Sequence, residues 1–429
     1  VRILVTGGYG LIGLAVVRAL LARSVEVRGA GRRPELGAAQ APGAHWVQLD
    51  IARPDQRLDA ALEAVDAVVN AAGALQDGGG DDLAGVHDTG VGALLDACRR
   101  AGVQRFVQIS ASGAAPDAST HFFRTKAAGD ARVRESGIAY AILRPGLVLG
   151  PETHGGSTLL RTLAGLPFLQ PVAHADAPIH LVALDDVARE AARFAIGERA
   201  MDVELDLAAP KPVSLGALIA GLRRRQGRSA ARIIPLPPVF AALAGAAGDA
   251  AVALGWKSPL RSTAMRVMAE GVPADPSAHT ALGYGPLKTT DQVLDTIAGM
   301  KQERMYARAL PLRVLAVATL SVFWIVSGGV GLAQIEAAMG LLTNAGMDEN
   351  PARAFVVSGS LIDLALGLGV LVRRTHTAAL LGMIAVTLGY LAAASFIVPA
   401  LWLDPMGPLV KTIPAMTLAL VALSLREPR

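Results

Sequence analysis

The sequence holds a single cysteine, Cys98, among 429 residues. One thiol excludes an internal disulfide and a cysteine-based metal cluster, and no metal site is expected. Charge is scarce as well. Only 18% of the residues are charged while 52% are hydrophobic, a balance that leans toward partial residence in a membrane. The net charge is +4 and the arginines are dispersed. No basic stripe is interleaved with aromatic residues, so no nucleic-acid partner is expected. No secretion signal is visible, because Val1-Arg2-Ile3-Leu4-Val5 reads at once as a buried strand.

The shortage of charge is not uniform. Roughly the first 300 residues mix charged and apolar positions, and the last ~120 carry long runs nearly free of charge. In the first part short apolar runs recur at Val1–Val5, Val25–Ala30, His45–Leu49, Asp66–Asn70, Arg105–Ser110 and Ala139–Leu143. Helical stretches separate them near Leu11–Ala22, Pro54–Ala64, Asp82–Ala101 and Thr120–Ser136. Continuous Val/Ile/Leu strands alternating with helices predict an α/β fold, a doubly wound parallel sheet with helices on both faces. Crossovers are expected to be right-handed.

Thr6-Gly7-Gly8-Tyr9-Gly10-Leu11-Ile12-Gly13 follows the first strand and opens a helix. In that context Gly7 serves the tight turn, Gly10 the close approach of a pyrophosphate and Gly13 the packing of helix on strand. The helix N-terminus offers N–H groups and partial positive charge to phosphates. No acid stands at the end of the second strand, which reads Arg28-Gly29-Ala30-Gly31-Arg32-Arg33. An acid there would meet the ribose 2′-OH of NAD, whereas Arg32 or Arg33 suits a 2′-phosphate. NADP(H) is therefore favoured over NAD(H), the other reading being two solvated arginines in a loop.

These glycines, with Asp50-Ile51 after the third strand and Asn70-Ala71-Ala72-Gly73 after the fourth, resemble the short-chain dehydrogenase/reductase superfamily over roughly residues 1–300. The resemblance implies adenine contact for Asp50 and a cofactor-adjacent loop at Asn70–Gly73. Ile179-His180 and Asp185-Asp186-Val187-Ala188 resemble a segment of its extended and atypical members. The family's catalytic pair is Tyr-x-x-x-Lys. Here His121-Phe122-Phe123-Arg124-Thr125-Lys126 supplies Lys126 for the nicotinamide ribose, but Phe122 has no proton to give. Ser110 and Ser112 fall where the family places its Ser/Thr. Three readings stand: ordinary carbonyl reduction is lost and the cofactor is kept for structure or sensing, His121 replaces the tyrosine, or hydride goes to an acceptor such as a quinone that takes its protons from water. The segment also resembles NmrA-like proteins and the NADPH-binding accessory subunit of respiratory complex I, in which Leu143-Arg144-Pro145-Gly146 matches a group motif.

The remaining chain divides into a smaller substrate lobe and a membrane region, giving expected domains of 1–210, 211–305 and 306–429. Ser214 is expected to cap a helix reaching about Gln226. Arg223-Arg224-Arg225 and Arg228 at its end complement the helix dipole or meet anionic lipid. Pro238–Leu254 reads as a buried or interfacial helix. Leu312–Ala333, Ala352–Val372, Thr377–Ala400 and Pro408–Leu425 are expected to form an all-α four-helix transmembrane domain. Lys301, Arg304, Arg308, Arg313, Arg373, Arg374, Arg426 and Arg429 fall on one side, and Asp348, Glu349, Asp404 and Lys411 on the other. The expected location is a cytoplasmic (inner) membrane, multi-pass, with both termini in the cytoplasm. Asp363 lies mid-span and would pair with Lys411, carry a proton, bind a quinone headgroup or be satisfied by Ser or Thr. Trp402-Leu403-Asp404-Pro405-Met406-Gly407-Pro408-Leu409-Val410-Lys411 resembles DoxX-like domains. The expected partners are a nicotinamide dinucleotide, the lipid bilayer, and a quinone or another membrane protein.

Overall fold

A computed structural model describes residues 1–78, 80–152, 156–256, 258, 260–297, 301–405 and 407–426, with backbone alone for 301–304, 306–308 and 310. Met406, Arg429 and the side chains of Lys301, Arg304 and Arg308 lie outside the described residues. The chain forms two compact units. One is Val1–Asp249 with Ser258–Met300, the other Ala250–Lys257 with Lys301–Arg429.

The first unit is built on a seven-stranded parallel sheet. Its strands are β1 (Arg2–Thr6), β2 (Glu26–Gly31), β3 (His45–Gln48), β4 (Ala67–Asn70), β5 (Arg105–Ile109), β6 (Ala139–Pro145) and β7 (Val203–Leu207). Their spatial order is β7-β6-β5-β4-β1-β2-β3, and every pair is parallel. The reversal beside β1 opens a crevice at the carboxyl ends of the strands, where dinucleotides bind in this architecture. Alternate side chains leave opposite faces of each strand. Ile3 and Val5 thus join one core with Val17, Leu20, Val187 and Phe194, while Leu4 joins the other with Val68, Leu94, Phe106 and Ile142.

A third core, around Leu149, Leu160, Leu181, Leu215, Leu218 and Leu222, forms the smaller lobe of this unit. Ser214 accepts from the Ala217 amide and caps the helix Leu215–Arg225 as expected. Arg223 at its end turns inward and donates to the carbonyls of Ala164, Leu166 and Ser229. Arg225 pairs with Asp295 at 2.7 Å. These arginines therefore serve the lobe's own structure.

Among the described residues of the second unit, three helices are long and apolar enough to cross a membrane: Pro311–Ala333, Glu349–Gly369 and His376–Ile397. The first belongs to a longer helix, Lys301–Ala333. Small residues let the helices approach. A Cβ on Gly367 would lie 2.8 Å from Ile325 Cγ1, and one on Gly328 2.5 Å from the Ser360 carbonyl. The expected fourth span is shorter than the sequence suggests. Its helix is Thr412–Ser424, 13 residues, about 20 Å at the α-helical rise. Residues 407–411 before it form turns, because Gly407 takes a positive φ of 58° and Pro408 follows.

Asp363 pairs within this unit, and not with Lys411. Ser327 Oγ donates to one carboxylate oxygen at 2.8 Å and Tyr390 Oη to the other at 3.0 Å. Three helices thus converge on one acid that is 5% exposed.

Candidate functional site

The turn after β1 is shaped by contacts that forbid side chains. Gly7 has φ 63°, and a Cβ there would stand 2.7 Å from the Ala71 carbonyl. A Cβ on Gly13 would collide with the Gly7 carbonyl. Gly10 donates its N–H to that same carbonyl at 2.9 Å and begins the helix Leu11–Leu21. No side chain caps this helix, which leaves its first-turn N–H groups for a ligand.

A cleft of about 720 Å³, open mouth included, runs over this turn. Thr6, Gly7, Tyr9, Gly10, Arg32, Asp50, Ile51, Ala71, Ala72 and Gly73 line it. Gly80, Asp81, Asp82 and Val86 close one side. Asp50 accepts from the Ala52 amide at 3.1 Å, which orients its carboxylate. Thr6 donates to Asn70 at 2.6 Å and Asn70 to Gln108 at 2.8 Å, a buried chain tying three strand ends together. The other sequence-predicted residues, Gly8, Leu11, Ile12, Gly13, Arg33, Asn70, Ser110, Ser112, Lys126 and Pro145, do not line it. Arg32 does line it, but its guanidinium is held by Asp81 at 2.8 Å and by the Gly80 carbonyl at 3.0 Å.

The helix His121–Glu135 carries Phe122 and Lys126, the positions that the sequence resemblance marked as catalytic. Lys126 is 6% exposed, and its Nζ donates to the Ile109 carbonyl at 2.9 Å. Burial pulls its pKa down to about 8, against the opposing charge of Asp130. Ser110 Oγ donates to Asp130 at 2.8 Å, so this hydroxyl is committed. Burial holds the Asp130 carboxyl above its ordinary range, while Ser110, Arg144 and Lys126 draw it down. Ser112 Oγ is buried without a hydrogen-bond partner among the described residues. Such an orphan is what a site awaiting a polar ligand atom presents.

Phe122 packs edge-on against His87 at 5.6 Å between ring centroids and lies 5.1 Å from the Phe123 ring. His121 is turned to Asp77 at 3.2 Å. His87, which sequence reasoning missed, is 1% exposed. Its Nε2 accepts from the Ala74 amide at 3.2 Å, which places the ring proton on Nδ1, 3.0 Å from Thr125 Oγ1. Burial and the neighbouring Lys126 push its pKa down to about 2, so it stays neutral. Asp130 and Asp81 were missed too. Asp130 had a signal, since it follows Lys126 by one helical turn on the same face. Asp81 lies in a glycine-rich loop with no periodicity to reveal it.

Residues 7–168 match a family described as NAD(P)H-binding, and residues 321–420 match the DoxX-like family. The chain is 34% identical over 151 residues to the NAD(P)H azoreductase of Xenophilus azovorans, covering 34% of this chain and 48% of the relative. It is 30% identical over 182 residues to sterol demethylase protein B of Methylococcus capsulatus, covering 37% and 55%. The chain thus spans about half the length of these curated relatives. Among solved structures, a UDP-glucuronic acid 4-epimerase from Bacillus cereus in complex with NAD matches 72% of this chain and 99% of its own. Its TM-score is 0.53 at 19% identity, a likeness of fold. The chain thus carries a Rossmann-fold domain that matches an NAD(P)H-binding family, followed by a region that matches the DoxX-like family.

Proposed function

We propose that this protein is an atypical short-chain dehydrogenase/reductase held in a membrane by its helical region, an oxidoreductase acting on an apolar, quinone- or lipid-like acceptor. The nicotinamide supplies a hydride. Gly7, Gly10 and the uncapped helix start would hold the pyrophosphate, and Asp50 with Ile51 the adenine end. The reading favours NADP(H), with Arg32 or Arg33 on the 2′-phosphate. The absence of an acid at the end of β2 supports it.

The observation that carries the reading is the pairing at the catalytic positions. Phe122 has no proton, Lys126 is turned to the Ile109 carbonyl and Ser110 is committed to Asp130. Ser112 alone keeps a free buried hydroxyl, which would position an acceptor oxygen. An acceptor that takes its protons from water needs no tyrosine. One of these curated relatives is named for sterol chemistry, which agrees with an apolar substrate. The same pairing favours a second reading, a non-catalytic nucleotide-binding subunit or redox sensor of a membrane complex.

The full-length protein in lipid nanodiscs, given NADPH and a water-soluble quinone, decides between them. Nicotinamide absorbance is expected to fall faster than in a Gly10→Asp control. Nucleotide retained on the protein without consumption would favour the second reading.

A further inference from the structure

The helix Pro238–Ala253 has two unlike faces. Ala241, Gly245 and Gly248 are buried against protein. A Cβ on Gly245 would lie 3.0 Å from Ser262 Cα, and one on Gly248 would collide with the Leu260 carbonyl. The helix carries one charged residue, Asp249, which accepts from Arg261 at 2.9 Å and from Gln76 at 3.2 Å. The other face is Val239, Phe240, Ala242, Leu243, Ala246, Ala247 and Ala250, with Phe240 51% and Leu243 61% exposed. It presents no charged or hydrogen-bonding side chain. A helix whose outer face met water would carry polar residues there.

The residues just beyond the helix belong to the helical unit. The Arg373 amide donates to the Leu254 carbonyl at 3.1 Å, and Trp256 Nε1 donates to the Leu371 carbonyl at 2.6 Å. The Trp256 ring stands edge-on to His376 at 4.8 Å. Those partners form the turn between Glu349–Gly369 and His376–Ile397, two of the helices long enough to cross a membrane. The chain leaving the apolar helix is therefore hydrogen-bonded, through Leu254 and Trp256, to the turn between two spans that bears Arg373 and Arg374.

We propose that Pro238–Ala253 is an interfacial helix, lying in the plane of the bilayer with Val239, Phe240 and Leu243 among the acyl chains just below the headgroups. The occupant of the face is lipid. The proposal rests on the membrane reading of the helical region, and the test separates the two.

Single cysteines replace Phe240, Leu243, Leu381 and Glu35 in the full-length chain, each labelled with an environment-sensitive fluorophore in nanodiscs. Cys98 is buried, and burial pushes its thiol up to about 12, so it stays unlabelled. Leu381 lies in the span His376–Ile397 and Glu35 reports water. Labels at 240 and 243 are expected to emit to the blue of the one at 35. They are also expected to be quenched by nitroxide-bearing lipid and to resist iodide, as at 381. If 240 and 243 behave like 35 while 381 reads lipid, the interfacial helix is refuted and the membrane reading stands. If 381 also reads water, the membrane reading falls. Protection of 240 and 243 from both quenchers would mean that protein covers the face, which equally refutes the proposal.

Discussion

The two units of this chain expose different kinds of residue. In the first, Ile3, Leu4, Val17 and Phe106 are fully buried, while arginines such as Arg57 and Arg99 take part in exposed pairs. In the second, Leu315, Val322, Leu361, Leu381 and Leu388 are more than half exposed, and the buried positions include Ser321, Ser360, Asp363 and Thr387. Inward polar groups and outward leucines are the pattern of a bundle whose solvent is lipid. The difference teaches that burial must be judged against the medium that each unit's surface suits.

Glycine substitutions give the largest expected contrast. Gly13→Val drives atoms into the Gly7 carbonyl and should cost the first unit about 1–3 kcal/mol. Thermal scans should show its transition lowered and that of the helical unit unmoved. A common shift of both would break the comparison. Gly10→Asp sharpens it differently. An aspartate at this N-cap suits the helix, so the fold should survive. Nucleotide affinity should fall at least about tenfold, roughly 1.4 kcal/mol, because the carboxylate opposes the pyrophosphate. Calorimetric titration with NADPH checks this, and unchanged affinity would remove the cofactor assignment.

Lys126 gives the next effect. Its pKa falls from 10.5 to about 8 on folding, so between those values the unfolded chain binds the extra proton. Stability contributed at this site therefore rises with pH across that window, and below pH 8 the penalty for burying the charge is complete. At about 1.4 kcal/mol per unit the rise is at most about 3 kcal/mol. Lys126→Met should flatten it, as urea unfolding at pH 7.5 and at higher pH would record; ~3 kcal/mol is the ceiling. A wild type whose stability falls through the window would contradict the burial argument.

Asp81 is a smaller test. The Arg32–Asp81 pair is half exposed, so its contribution is on the order of 1 kcal/mol or less. Asp81→Asn removes the charged partner of Arg32, leaving the Gly80 carbonyl, and should raise the NADPH-to-NADH affinity ratio by up to roughly fivefold. A ratio that does not move would leave Arg32 outside 2′-phosphate recognition. Smallest of all, Tyr390→Phe removes one hydroxyl from Asp363 and should cost about 0.6 kcal/mol, the usual worth of such a bond between membrane helices. Chemical unfolding in mixed micelles measures it.

The parts of the fold fixed by backbone requirements are legible in the sequence. Glycine spacing after β1 announces the turn because Gly7 and Gly13 have no room for a side chain, and continuous apolar strands announce the sheet. Ser214 announces its helix because capping is local chemistry. What depends on partners distant in sequence is not legible. Arg32 looks free because Asp81 is 49 residues away, and Ser110 looks available because Asp130 is 20 away. His87 resembles any helical polar residue until Ala74 and Thr125 close around it. The fourth span reads too long because hydropathy counts Pro408–Lys411 as apolar length, whereas Gly407 and Pro408 hold that segment in turns.

The most direct test of the central claim, that an acceptor dissolved in lipid takes electrons from this nucleotide site, is a comparison of NADPH oxidation rates in nanodiscs. One sample carries a long-chain quinone in its lipid, and the other an equal total amount of its short-chain, water-soluble analogue. The account predicts faster oxidation with the long-chain quinone. Equal or slower oxidation would contradict it and reduce the helical unit to an anchor.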